Sequence, residues 1–133
     1  KFLKKNLIEP TKIYTKEFLK AHNKNLINGC ANITGGGLCE NIKRVIPNNL
    51  TAIINLSKIN TLDIFKWIKN KGVSDKEMLN TFNCGVGFCL IIKPKLLKIV
   101  EKFFNKNYKP YIIGKISIDN KKYKSNGKVN WKR

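Results

Sequence analysis

Three consecutive glycines that follow a threonine are the feature of this sequence with the most chemical content. Thr34, Gly35, Gly36 and Gly37 lie between an expected strand and the start of an expected helix. Glycine lets a chain turn tightly and leaves its N–H groups accessible, and the positive end of a helix dipole favours an anion. The segment therefore predicts a phosphate-binding loop, although it matches neither G-x-G-x-x-G nor G-K-[ST]. A tight turn without a ligand explains the same glycines equally well.

Two polar side chains of the helix that follows are further candidates for ligand binding. Asn41 lies in the first turns, where its amide could donate to a ligand, whereas the nearby Glu40 is explained as an acidic residue suited to a helix N-terminus. Arg44 is the only arginine before the last residue of a chain with 27 basic residues. Its planar fork suits a carboxylate or a phosphate, but an ordinary cation near a helix C-terminus is an equal explanation.

An apolar run over residues 82–92 contains the remaining candidate. We interpret it as a buried strand in which Asn83, Gly85 and Gly87 share one face. Two glycines on one face leave a smooth groove where a ligand or another backbone can come close. Close packing of a helix on the sheet accounts for them equally well.

The sequence assigns no catalytic residue and no metal site. The four cysteines at positions 30, 39, 84 and 89 have the spacings C-x8-C and C-x4-C, without the close pair typical of zinc, and His22 is the only histidine. Only 8 residues are acidic, so no pair of carboxylates is indicated. Nothing in the cysteine spacing indicates disulfides, so we expect free thiols in a reducing compartment, the cytoplasm.

The elements that must position these residues alternate between helix and strand. Apolar spacing, β-branched runs, caps and breakers predict helices over 10–22, 38–45 and 62–71 and from 74 and 94, and strands over 28–33, 51–56, 82–92 and 111–116. Ser74 and Glu77 form a capping-box pattern. The fold class that follows is α/β (α+β), a layered mixed β-sheet flanked by helices.

Length and composition limit how many domains the chain can form. Its 133 residues fit one domain or part of one, and 42% of them are hydrophobic, enough for a core. We expect residues 1–118 to form a partial domain and residues 119–133 to form a basic, poorly ordered tail. The longest apolar run is far shorter than the roughly 20 residues of a membrane span, and a first residue other than Met suggests a fragment.

The net charge of +19 raises the hypothesis of a nucleic-acid binding module. Lysines are spread over nearly every segment, however, and arginine, which phosphate and base readers favour, is nearly absent. Abundant Lys, Asn and Ile, all with A/T-rich codons, also point to genome composition. Only the segment 121–133, with Tyr123 and Trp131, combines dense charge with aromatic residues. Nucleic-acid binding is therefore the disfavoured alternative.

Four segments in order resemble the C-terminal domain of the phosphoribosylformylglycinamidine cyclo-ligase family, the aminoimidazole ribonucleotide synthetases. They read L-I-E-P-T-K-I-Y at 7–14, I-T-G-G-G-L-C-E-N-I-K-R-V-I-P at 33–47, I-F-K-W-I at 64–68 and M-L-N-T-F-N-C-G-V-G at 78–87. The corresponding family patterns are L-x-P-T-R-I-Y, H-[IL]-T-G-G-G-x-x-E-N-[IL]-P-R-V-[IL]-P, I-F-x-W-[IL] and E-M-x-x-T-F-N-x-G-[IV]-G. The resemblance covers residues 3 to 116.

The resemblance implies an ATP-dependent ring closure in purine biosynthesis. In this family ATP phosphorylates the formamide oxygen of formylglycinamidine ribonucleotide, an amidine nitrogen closes the imidazole ring, and phosphate leaves. The family members are cytoplasmic homodimers, and an N-terminal domain, absent from this chain, supplies most of the ATP and Mg²⁺ site. The loop of residues 34–37 then faces the interdomain cleft, and Asn41, Arg44 and Asn83 are carried over as cleft residues.

Three positions depart from the family pattern. Asn32 stands where the family has His, Lys12 where it has Arg, and Lys43 where it has Pro. With the N-terminal domain missing, we expect the chain to be inactive alone. A second enzyme from the same ATP-binding superfamily, such as the formylglycinamide ribonucleotide amidotransferase, selenophosphate synthetase or thiamine-phosphate kinase, remains an alternative.

Overall fold

The computed structural model describes residues 1–104 and 108–132, which form short helices and strands in alternation. The α-helices are α1 (Phe2–Leu7), α2 (Thr15–His22), α3 (Gly37–Val45), α4 (Asp63–Lys69), α5 (Asp75–Thr81) and α6 (Leu97–Glu101). The strands are β1 (Gly29–Asn32), β2 (Leu50–Asn55), β3 (Phe88–Ile91), β4 (Gly114–Ile118) and β5 (Lys122–Asn126). Single 3₁₀ turns follow β2 and precede α6.

The strands of the described residues form two sheets. β1 and β3 pair antiparallel, with Ala31 opposite Cys89. The other sheet has the order β4-β2-β5, in which β2 is antiparallel to β4 and parallel to β5. The prediction of a mixed sheet flanked by helices is confirmed. The separate two-stranded sheet of β1 and β3 was not predicted.

One apolar core connects the sheets to helix α3. Leu38, Ile42 and Ile46 recur every four residues, so they lie on one side of α3 and its C-cap and are all nearly fully buried. They pack with buried residues of both sheets and of the connecting segments: Ala31, Ile33, Ala52, Ile54, Leu56, Ile59, Val86 and Val129. Helix α3 is therefore held between the sheets, and the glycines at its start are fixed with it.

Most predicted elements are confirmed with shifted ends. The cap at Ser74 is present, since its hydroxyl accepts a hydrogen bond from the Glu77 amide at 3.1 Å. The helix predicted from 94 opens as a 3₁₀ turn and ends at Glu101, before Phe103 and Phe104 of the predicted apolar stripe. The strand predicted over 111–116 begins only at Gly114.

The prediction of one strand over 82–92 is wrong for its first half. Only Phe88–Ile91 is a strand. Cys84 and Gly85 have φ angles of 51° and 102°, a left-handed conformation that no strand contains. Residues 83–86 therefore form a turn, closed by a hydrogen bond from the Val86 amide to the Asn83 carbonyl. The prediction that Asn83, Gly85 and Gly87 share one face of a strand is wrong.

The prediction of a poorly ordered tail over 119–133 is also wrong for the described residues, while Arg133 lies outside them. Strand β5 pairs with β2 along its whole length. Before it, the Lys121 amide donates to Oγ1 of the fully buried Thr51 at 3.0 Å. After it, Val129 is buried and Trp131 packs against the core. Two lysines among its five residues, the half-buried Lys122 and the exposed Lys124, gave this strand the composition of a solvated segment. The boundary at residue 118 stays a prediction.

Among the described residues, no helix combines the length and the apolar content that crossing a bilayer requires.

Candidate functional site

The glycine loop is an exposed bend at the start of α3. Thr34 and Gly35 are exposed, Gly36 is half-buried and Gly37 is buried. Gly36 and Gly37 have φ angles of 89° and 60°, so both need the left-handed conformation that glycine adopts without strain. The Gly37 amide donates to the Thr34 carbonyl at 3.2 Å, and no acceptor for the Gly35 or Gly36 amide is found in the part of the chain that the structure describes. The bend is thus open to solvent.

Asn41 faces the inside of the bend. Its side chain is nearly fully buried, and Nδ2 donates to the carbonyls of Gly37 at 2.7 Å and Gly35 at 3.1 Å. A longer contact of 3.5 Å reaches the Thr34 carbonyl. The predicted ligand-binding side chain is therefore occupied by the loop itself.

Gly37 connects the loop to helix α5. A Cβ on this residue would overlap the Leu79 carbonyl oxygen and lie 3.1 Å from the Phe82 carbonyl oxygen. Only a glycine allows two backbones to come this close. The glycine loop and the segment around Asn83, far apart in sequence, are thereby brought together.

Asn83 shapes the second turn. Its Oδ1 accepts from the Gly85 amide at 2.9 Å, and its carbonyl accepts from the Val86 amide at 2.9 Å. Side-chain acceptance two residues along the chain is the Asx-turn pattern that stabilises such bends. Gly85 itself leaves no space for a side chain, since a Cβ would lie 2.6 Å from the Asn60 carbonyl oxygen. In this geometry the half-buried Asn83 uses its side-chain oxygen to hold the turn.

Arg44 and Glu40 lie on the solvent side of α3. Their closest approach is 3.9 Å, between Nη2 and Oε2, and both side chains are about two-thirds exposed. Such a pair contributes little to stability, so the Arg44 fork is available to a partner. Glu40 lies against the loop, because a Cβ on Gly36 would overlap its Oε2. The sequence analysis did not predict that the Glu40 carboxylate lies beside the loop. Its position one helical turn after Gly36 could have indicated this contact.

Tyr14 is a second residue whose position the sequence analysis missed. Its ring stacks on Phe88 at 5.5 Å, and a Cβ on Gly87 would overlap its hydroxyl oxygen. Burial, followed by the neighbouring Tyr108, raises the pKa of Tyr14. The Gly87 carbonyl accepts a hydrogen bond from the amide of Ile33, the residue directly before the loop, at 2.9 Å. The available signal for the position of Tyr14 was that it ends the P-T-K-I-Y segment.

The residues that differ from the family pattern lie at the surface. Asn32, in place of His, is an exposed residue at the end of β1, immediately before the loop. Lys12, in place of Arg, places its ammonium 5.8 Å from the centre of the Tyr108 ring, and Lys43 is exposed on α3.

The cysteines are unpaired, and two have suppressed ionisation. Burial raises the pKa of the Cys84 thiol to about 11 and that of Cys89 to about 12. Such thiols are poor nucleophiles and metal ligands at neutral pH. Within the described residues no three His, Cys, Asp or Glu side chains form a group that could hold a metal ion.

Comparison with known proteins shows which family the sequence matches. Residues 3–124 match the family described as AIR synthase related protein, C-terminal domain. The chain belongs to this family. It is similar to the phosphoribosylformylglycinamidine cyclo-ligases of Clostridium tetani, at 39% identity over 92% of the chain, and Brevibacillus brevis, at 36% identity over 98%. It is also similar to the bifunctional purine biosynthetic protein PUR2,5 of Pichia angusta, at 44% identity over 80% of the chain.

The chain spans only part of each relative. It covers 37% of the Clostridium tetani protein, 38% of the Brevibacillus brevis protein and 14% of the Pichia angusta protein. The family's C-terminal domain is therefore represented here, and the remaining parts of the relatives have no counterpart in this chain.

Proposed function

We propose that this chain is the C-terminal part of an ATP-dependent phosphoribosylformylglycinamidine cyclo-ligase. The whole enzyme would convert formylglycinamidine ribonucleotide to aminoimidazole ribonucleotide by activating the formamide oxygen with ATP and closing the ring through an amidine nitrogen. The role of this chain is to contribute one wall of the cleft. The observation that carries the proposal is the agreement of the family match over residues 3–124 with an exposed glycine loop inside the matched region.

The glycine loop supplies the part of the site that this chain would contribute. We propose that the backbone of the exposed Thr34 and Gly35 and the half-buried Gly36 faces a phosphate of the nucleotide or ribotide, with Arg44 at the cleft edge. Gly37, Asn41 and Asn83 belong to the same proposed site as the residues that shape it. Glu40 would have to move from the loop or be neutralised, because an anion beside its carboxylate is repelled.

The cofactors and the assembly are proposed from the family. ATP and Mg²⁺ would be held mainly by the N-terminal part of the enzyme, since the described residues lack a cluster of carboxylates for the metal. A homodimer in the cytoplasm is the proposed form of the whole enzyme. In this chain the residues 34–37 and Arg44 would do no more than bind and orient phosphate groups.

A chimera tests the proposal directly. The 133-residue chain would replace the segment that it matches in the Clostridium tetani cyclo-ligase. We expect the chimera to release ADP only when formylglycinamidine ribonucleotide is present, and to form aminoimidazole ribonucleotide. The isolated chain should release none. The proposal fails if a dimeric, folded chimera does not cyclise the substrate, or if the isolated chain turns over at the rate of the intact relative.

The alternatives differ in measurable ways. Relatives named cyclo-ligase favour this activity over other ATP-using members of the superfamily. A nucleic-acid binding module would bind single-stranded DNA at about 50 mM salt and lose affinity steeply towards about 200 mM. The spread of lysines over the surface predicts only weak binding without sequence preference.

A further inference from the structure

The orientation of the peptide groups in the glycine loop depends on one buried side chain. The amide of Asn41 donates to the carbonyls of Gly37 and Gly35 at 2.7 and 3.1 Å. The residue is 6% exposed, so water cannot readily replace it as a donor. The Gly35 carbonyl is therefore held facing the first turn of α3, beside the Gly37 carbonyl that belongs to this turn.

The positions of the carbonyls fix the direction of the neighbouring N–H groups. In a trans peptide the C=O of one residue and the N–H of the next point in opposite directions. A Gly35 carbonyl that faces Asn41 therefore turns the Gly36 N–H away from Asn41. Gly35 is exposed, and the Gly36 N–H has no backbone acceptor among the described residues, although the Glu40 carboxylate lies on the Cβ side of the half-buried Gly36. This N–H therefore points away from Asn41 without a main-chain partner.

We propose that Asn41 is a positioning residue, which holds the loop carbonyls inward so that the Gly36 N–H is presented outward. A phosphate in the cleft would meet the main chain of the loop and not the Asn41 side chain. The inference rests on the proposed function for its ligand, but the orientation of the loop can be measured without one.

An asparagine is the side chain that this task requires. Its NH₂ group supplies two donors, one for each of the two short contacts. Aspartate would place a carboxylate against two carbonyl oxygens, which repel it. Leucine, of similar size, has no donor, so the Gly35 carbonyl would lose its contact with residue 41 and the Gly37 carbonyl would keep only its backbone partner in α3.

The first test uses the unaltered ¹⁵N-labelled chain. We expect the side-chain NH₂ protons of Asn41 to exchange with water at least about tenfold more slowly than those of the exposed Asn48, because they are buried and hydrogen-bonded. The Gly36 backbone amide should exchange rapidly. A fast-exchanging Asn41 side chain would overturn the proposal without any variant.

The second test compares Asn41→Asp with Asn48→Asp, which introduces the same charge at an exposed position without a side-chain hydrogen bond in the described structure. We expect Asn41→Asp to shift the Gly35 and Gly36 amide resonances and Asn48→Asp to leave them in place. The amides of the buried Thr51 and Val100 report whether the fold survives. Asn41→Leu, which adds no charge, should move the same loop resonances.

Titration with inorganic phosphate separates the inference from the proposed function. If phosphate shifts the Gly36 amide of the unaltered chain and not that of a folded Asn41→Leu chain, which adds no charge that would repel phosphate, the positioning role is supported. If phosphate shifts neither chain although Asn41→Asp reorients the loop, the phosphate contact is contradicted while the positioning role stands. If folded Asn41→Asp and Asn41→Leu chains keep the loop resonances and the phosphate response, the positioning role is wrong.

Discussion

Gly35, Gly36 and Gly37 are adjacent in the sequence but have different neighbours. Gly35 faces open space, Gly36 lies against the Glu40 carboxylate, and Gly37 lies against the backbone of α5. Of the three, only Gly37 combines a positive φ with contact to another backbone. A run of three identical residues therefore contains one exposed position, one beside a charge and one that joins two segments.

Alanine substitutions should separate these roles. Gly37→Ala is expected to lower the free energy of unfolding by more than about 2 kcal/mol, because it adds left-handed strain and a clash with the Leu79 carbonyl. Gly72→Ala, with φ of 94° and open space, should cost about 1 kcal/mol from strain alone. Gly35→Ala should stay within about 0.5 kcal/mol. Urea unfolding measures all three, and equal losses would contradict the assigned packing.

The buried thiol of Cys84 predicts a loss of stability at alkaline pH. Burial raises its pKa to about 11, and the thiol donates to the Met78 carbonyl at 3.4 Å. Below about pH 8 the thiol is protonated in both states. As the pH rises through about 9, the unfolded chain loses this proton while the folded chain keeps it, so unfolding becomes more favourable.

A pair of variants isolates that effect. The free energy of unfolding of Cys84→Ala should be lower than that of the unaltered chain at pH 7.5, and the difference should shrink by up to about 2 kcal/mol by pH 10.5. Val100→Ala, a buried truncation without a titrating group, should show a difference that does not change with pH. A constant difference for Cys84→Ala would contradict the raised pKa.

At the scale of elements, local signals predicted what local interactions determine. The Ser74 cap, the apolar stripe of α3 and the β-branched strand β2 are each specified within a few residues, and all three are present. The 82–92 run was misread because its apolar composition fits a strand and a buried turn alike. Cys84, in a left-handed conformation that its residue type does not signal, makes the difference.

Strand β5 was missed because its partner is far away in the sequence. Lys122, Lys124 and Asn126 pair with β2, about 70 residues earlier. Its five residues contain two lysines and two polar residues, a composition typical of a solvated tail. Only the parallel pairing and the burial of Val129 and Trp131 beyond it turn this segment into part of the core.

Trp131 provides the test of that element. Trp131→Ala should lower the free energy of unfolding by about 2–4 kcal/mol, because a large ring is removed from the side of the core. The neighbouring Lys132→Ala, at an exposed position, should stay within about 0.5 kcal/mol. A small loss in urea unfolding for Trp131→Ala would restore the interpretation of the C-terminal segment as a tail.

At the scale of the whole molecule, the binding site itself stays a prediction, while the structure shows which hydrogen bonds its candidate side chains make. Thr34 and Gly35 are exposed and Gly36 is half-buried. Asn41 and Asn83 were predicted to face a ligand, but they donate to or accept from the loops around them. An asparagine that binds a ligand and an asparagine that holds a loop can occupy the same position in a sequence. Only the contacts of the side chain in the structure distinguish the two roles.

The net charge of +19 should act against the folded state through repulsion between lysines. Lys115 and Lys124 lie on β4 and β5, but within the described structure only Lys124 has an ion-pair partner, Asp119. Lys115→Gln is therefore expected to raise the free energy of unfolding by a few tenths of a kcal/mol at low salt, whereas Lys124→Gln should not. The gain should vanish near 1 M NaCl, where the screening length falls to about 3 Å. Urea unfolding at both salt concentrations measures it, and equal gains for the two variants would show that unpaired lysines do not dominate the repulsion.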